Sequence, residues 1–144
     1  MFDEDLGDLF VIRVAGNVVD PIVLGSIEYA AAHLGTRLLV VLGHTSCGAV
    51  KATLDAMQNP PDEISPNIQA LVDAIQPAVA PLLAQEPPLA EMALGAAAVR
   101  ANVASVVAQL GRESALLTSL MGEDGLEVIG AEYDLGSGAV TFLS

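Results

Sequence analysis

Residues 37 to 43, "RLLVVLG", form an unbroken apolar run that ends on glycine. A strand with one face in water alternates apolar and polar residues, whereas a continuous run fits a strand covered on both faces of a parallel sheet. Upstream, "LFVIRVAG" (9 to 16) is β-branched and apolar, then meets Gly16-Asn17, a pair suited to a turn with positive φ. "DPIVLGSIEYAAAHLG" (20 to 35) carries apolar residues at helical spacing around Ile27, Ala30, Ala31 and Leu34. Its helix is expected to start near Pro21 or Ser26 and to stop at Gly35. The first half therefore reads strand, helix, strand.

"TSCGAVKATLDAM" (45 to 57) follows as a helix, with Thr45 or Ser46 placed to cap its first N–H groups. Residues 59 to 88 alternate prolines with short helical stretches and read as a surface excursion in two helical pieces. Residues 89 to 111 make a long alanine-rich helix whose small side chains permit close packing, and 112 to 125 a shorter one. "LEVIGAEYD" and "AVTFL" flank "LGSG" (135 to 138), a connection of hairpin length, so the sheet should end in an antiparallel edge. No repeat or linker divides residues 1–144, and one α/β domain is expected.

Composition narrows the partners. With 53% apolar residues a chain of 144 can bury a core without disulfides or a metal staple. A formal net charge of -13 with five Lys plus Arg opposes nucleic acid and anionic membranes, since phosphate binding rests on cations that release counterions. The apolar stretches are broken by Pro77, Pro81, Pro87, Pro88, Glu91 and Arg100, short of the ~20 uninterrupted residues of a bilayer helix. One cysteine allows no intrachain disulfide, and "MFDEDLGD" is acidic where a signal peptide is basic then apolar. A cytoplasmic location is the expectation.

"GHTSCG" (43 to 48) carries the candidate chemistry. In open α/β sheets ligands bind where strands end and helices begin, and His44 and Cys47 occupy such a junction. A thiol in a first helical turn feels the positive end of the peptide dipoles, which favours the thiolate that binds zinc. Gly43 and Gly48 leave room beside both. Two other readings stay open: a merely buried cysteine, and a cysteine nucleophile with a histidine base. His33, near the end of its helix, reads as a dipole-stabilising surface histidine.

Four blocks, "GDLFVIRVAGNVV", "GSIEYAAAHLG", "LLVVLGHTSCGAVKA" and "LEVIGAEYDLGSGAVTFL", resemble successive segments of the β-class carbonic anhydrase family, in the family's order. The resemblance spans nearly the whole chain and is weakest over residues 58 to 90. It implies a doubly wound, mostly parallel α/β sheet with an antiparallel C-terminal edge strand. It also implies a homo-oligomer (dimer or higher), one zinc per site, and reversible hydration of CO2 to bicarbonate. His44 and Cys47 match two zinc ligands, Gly16 and Asn17 a loop near the pocket, and Gly43 and Gly48 the glycines flanking the ligands.

The family's remaining ligand is a cysteine in a Cys-x-Asp-x-Arg motif on a strand upstream of the block that begins here at Gly7. No such motif occurs in these 144 residues, so the resemblance implies a fold missing the family's first strand and its Asp-Arg dyad. Weak or absent zinc and impaired activity are expected. Asp3, Glu4 or Asp5 is a candidate replacement ligand, and Glu28 matches a family position near the core without an assigned role. The strands "LFVIR" and "LLVVL" are expected either to pair directly or to admit a strand of another chain, with direct pairing slightly favoured. Alternatives are a non-catalytic assembly or regulatory relative, a Cys47 thiol sensor, and a variant acting on carbonyl sulfide or carbon disulfide.

Overall fold

The structure, a computed structural model, describes residues 4–143. Three strands, β1 (Leu38–His44), β2 (Glu127–Tyr133) and β3 (Val140–Leu143), lie in the order β1-β2-β3. β1 and β2 are parallel and β3 is antiparallel to β2, so the α/β class and the antiparallel C-terminal edge are as the sequence indicates. Helix α1 (Pro21–His33) precedes β1, and α2 (Gly48–Gln58), α3 (Pro66–Leu83), α4 (Glu91–Glu113) and α5 (Ala115–Glu123) carry the chain to β2. α1 opens where the sequence places it: Asp20 Oδ1 accepts from the N–H groups of Ile22 and Val23 at 2.9 and 2.8 Å, and Pro21 brings no N–H that needs a partner.

One face of the sheet packs on α4. A Cβ built at Gly43 would lie 2.6 Å from Val103 Cγ2, and one at Gly130 2.8 Å from Val103 Cγ1; both glycines bring the helix backbone close. Val41 joins Ala31, Val103, Val106, Leu110, Leu117 and Leu126 in one buried cluster. A second cluster, Val50, Leu54, Ile75, Val79, Ala98 and Val99, joins α2 and α3 to the far side of α4. By length and apolar content α4 could span a bilayer, against the sequence expectation. Here it is the wall shared by both clusters, and Arg100 Nε on it donates to the buried Glu132 at 3.0 Å. The other face of the sheet, with Leu38, Val40, Leu42, Ile129, Ala131 and Phe142, belongs to neither cluster.

Three further expectations fail. Residues 59 to 88 hold one 18-residue helix rather than two surface pieces, and Val72, Ile75 and Val79 of α3 are buried. Pro77 lies inside it, but Pro77 and Asp73 are both exposed, so the place of the bond that proline cannot donate is on the solvent side of the helix. The second failure concerns residues 9 to 16. Leu9–Val14 belongs to no strand, and Ala15–Asn17 forms a 3-10 turn with φ of 64° at Gly16 and 54° at Asn17. Direct pairing with β1 does not occur. Asn17 Nδ2 instead donates to the Leu42 carbonyl at 2.6 Å, occupying an acceptor a neighbouring strand would use. Third, neither Thr45 nor Ser46 caps α2; Ser46 turns through a φ of 58° and Cys47 is the residue at the cap.

The ladder fixes which way β1 presents its backbone. Glu127 N donates to Arg37 O at 2.9 Å and Thr45 N to Tyr133 O at 3.0 Å. With the register Leu38↔Glu127 through His44↔Tyr133, the odd-numbered residues of β1 bond to β2. The even-numbered ones point their N–H and C=O away from it. Asn17 bound to Leu42 O agrees with that parity.

Candidate metal centre

His44 is the last residue of β1, and Cys47 stands three residues on, at the cap where α2 begins. The connecting turn is pinned at both ends of Thr45: its N–H donates to Tyr133 O, and its Oγ1 accepts from Leu135 N at 3.0 Å. The 134–139 connection is itself held by Asp134, whose Oδ1 accepts from Ser137 N (2.6 Å), Ser137 Oγ (2.8 Å) and Gly136 N (3.0 Å). Those bonds, the Ser137 backbone N–H foremost, hold the Asp134 carboxyl below its ordinary pKa. His44 Nδ1 lies 2.9 Å from Thr45 O. A carbonyl only accepts, so Nδ1 carries the hydrogen in the neutral ring and Nε2 keeps its lone pair for a ligand.

His44 and Cys47 line one small cavity with Gly16, Asn17, Gly43, Val50, Val99, Asn102 and Val103. Of the six residues that the resemblance matches to ligands or pocket (Gly16, Asn17, Gly43, His44, Cys47 and Gly48), Gly48 alone is not in that lining, and a Cβ there would meet nothing within 4 Å. Gly43 serves the contact with α4, while Gly16 lies where a Cβ would meet Ile75 Cδ1 at 2.5 Å. Sequence reasoning missed Asn102, 5% exposed, whose Nδ2 donates to Gly16 O at 2.7 Å. The signal was an asparagine within the apolar stripe Val99, Val103, Val106. Two asparagines thus hold the Gly16-Asn17 turn, Asn102 from α4 and Asn17 onto β1.

Glu28 Oε1 accepts from Ser114 Oγ at 2.6 Å and Ser114 caps α5, so Glu28 ties two helices away from the cavity lining. His33 ends α1, exposed, with its ring 5.0 Å from that of Tyr29. Glu4 and Asp5 are exposed, and the candidate ligand Asp3 lies outside the described residues. Among the described residues no three His, Cys, Asp or Glu side chains gather as a metal group. Catalytic zinc takes three protein ligands; His44 and Cys47 suit two of those places, and the described residues do not fill the third.

A model of the carbonic anhydrase family matches residues 1–140. The structure superposes on Coccomyxa β-carbonic anhydrase with a TM-score of 0.86 at 25% identity, covering 99% of this chain and 64% of that one. The chain belongs to the β-class carbonic anhydrases. A carbonic anhydrase of Mycolicibacterium smegmatis is 39% identical over 145 residues, 100% of this chain and 67% of the relative. A tetrameric β-carbonic anhydrase from the filamentous ascomycete Sordaria macrospora matches with a TM-score of 0.82 at 26% identity, over 97% of this chain and 70% of that one. This β-carbonic anhydrase chain thus spans about two thirds of the relatives it matches.

Proposed function

We propose that His44 and Cys47 are two ligands of a zinc site whose reaction is the reversible hydration of CO2 to bicarbonate, in a cytoplasmic homo-oligomer. The observation that carries this reading is the shared cavity at the end of β1, in which His44 keeps Nε2 free because Nδ1 is spent on Thr45 O. Zinc supplies Lewis acidity to such a site. The chain's own residues supply the rest: Asn17 and Asn102 fix the turn beside the ligands, and Val50, Val99 and Val103 form an apolar wall suited to an uncharged substrate as small as CO2.

The proposal extends to strength. Structural zinc sites with four ligands bind with about 10 to 16 kcal/mol, so each ligand carries roughly 3 kcal/mol, about a hundredfold in affinity. Two donors hold zinc weakly, and the 144-residue chain by itself is a poor hydratase; a third donor from other polypeptide completes the shell. Metal analysis after gel filtration, with stopped-flow CO2 hydration, tests this. The expected result is well under one zinc per chain and slow turnover, with Cys47→Ser and His44→Ala removing what metal remains. One tightly held zinc per chain with rapid hydration would refute it.

A second reading, a non-catalytic relative kept for assembly, is favoured by the missing third donor among the described residues. It separates cleanly: no added segment restores hydration, while a defined oligomer persists.

A further inference from the structure

We propose that Asn102 Oδ1 is a hydrogen-bond acceptor for the O–H group of a guest in the cavity beside His44 and Cys47, either a water molecule or the hydroxyl of bicarbonate. Asn102 is 5% exposed and lines that cavity. Its orientation is fixed at the other end of the amide. Gly16 O can only accept, so the group 2.7 Å from it is Nδ2 and the opposite corner is Oδ1. Oδ1 meets no donor among the described residues, and none of their side-chain N or O atoms is both sealed from solvent and unpartnered. The oxygen therefore reaches open space, and the cavity is the space that Asn102 borders.

Two neighbours are set the same way. Asn17 Nδ2 is spent on Leu42 O at 2.6 Å, and in the neutral ring His44 Nδ1 is spent on Thr45 O at 2.9 Å. Each of these three side chains has given its donor to a backbone carbonyl. What they keep for the cavity, Asn17 Oδ1, Asn102 Oδ1 and His44 Nε2, are all acceptors. Cys47 adds only a weak S–H donor, and the valines of the wall add none. Such a lining holds a guest that donates and repels one that can only accept.

Size and charge narrow the guest. At about 10 Å³ the cavity takes one water-sized group. Among the described residues no carboxylate lines it, so an ammonium ion would lie there without a counter-charge. A neutral O–H meets both limits. Water brings two such donors; bicarbonate brings one and leaves its charged end outside. The bicarbonate half rests on the function proposed above, and the water half does not.

Two NMR readouts test the proposal. In the chain with and without zinc, water-selective NOE spectra should show cross-peaks from a resident water to the methyl groups of Val99 and Val103. In the zinc-loaded chain, methyl shift titrations should find bicarbonate bound about three- to tenfold more tightly than nitrate, a planar anion of equal charge with no proton to donate. Asn102→Leu should remove the cross-peaks and bring the ratio near one. Asn102→Asp keeps an acceptor and loses the donor amide toward Gly16; it should preserve both signals, and it carries the test where the leucine variant does not fold. Structural damage alone would weaken both anions equally and would not separate the two variants. Cross-peaks alone would assign the guest to water, and a ratio alone to bicarbonate. Cross-peaks in a chain that takes up no zinc, or binds neither anion, leave the acceptor standing and count against the proposed function. Neither signal in the folded parent, both unchanged in Asn102→Leu, or both lost in Asn102→Asp would overturn the proposal.

Discussion

The two edges of β1 are made by the same seven residues, yet they meet opposite fates. Toward β2 every odd-numbered amide is spent in a parallel ladder, and on the same residues the side chains of Leu39 and Val41 meet the buried cluster. Away from β2 the even-numbered amides find one side-chain partner, Asn17. The alternation inside a single strand teaches that an apolar run specifies how much of a strand must be covered, while the neighbours decide which side is covered by this chain.

Proline substitution tests that contrast at its strongest. Val41→Pro removes an N–H from the ladder to β2 and should prevent cooperative folding, seen as loss of a sigmoidal urea transition; an edge strand tolerates the same change. A midpoint within error of the parent would erase the distinction between the two edges. Next in size is Gly43→Val, which forces branched carbon into a place where even a Cβ lies 2.6 Å from Val103. Overpacking of this kind costs about 1–3 kcal/mol or more in denaturant unfolding.

The two asparagines offer a finer comparison. Asn102→Ala leaves the Gly16 carbonyl in a buried place without its donor and should cost about 1–3 kcal/mol. Asn17→Ala strips a carbonyl on the open edge, where water can substitute, and should cost about 0.5–1.5 kcal/mol. Equal losses in parallel urea titrations would mean that the open edge is as dry as the core.

The smallest effect belongs to Asp134. Its carboxyl is held below the ordinary aspartate value of 3.8 by hydrogen bonds from Ser137 and Gly136, so the folded state binds that proton less readily than the unfolded one. The stabilisation is fully present above the unfolded value and fades as pH falls through the depressed folded value. Amide exchange of Gly136 and Ser137 should quicken beyond the intrinsic pH trend only below about pH 3.8, and Asp134→Asn should remove that step.

What could be read from sequence divides along the same line. Continuous or periodic apolar patterns placed α1, β1, α4, β2 and β3 within a few residues, because burial against neighbours in the same chain leaves that mark. Leu9–Val14 has a strand's composition but no ladder, since propensity cannot supply a pairing partner. Pro77 and Pro81 read as breakers in the sequence, whereas on the wet side of α3 they interrupt little. His44 and Cys47 stood out through residue type and spacing. Asn102 did not, because its place beside Gly16 depends on a contact 86 residues apart.

Thr45 links the turn between His44 and Cys47 to Leu135, 90 positions later. A ribosome making this chain therefore extrudes the imidazole and the thiol long before the segment that pins them. The turn that carries both side chains is therefore fixed by a long-range contact, and its final shape waits on a segment made well after it.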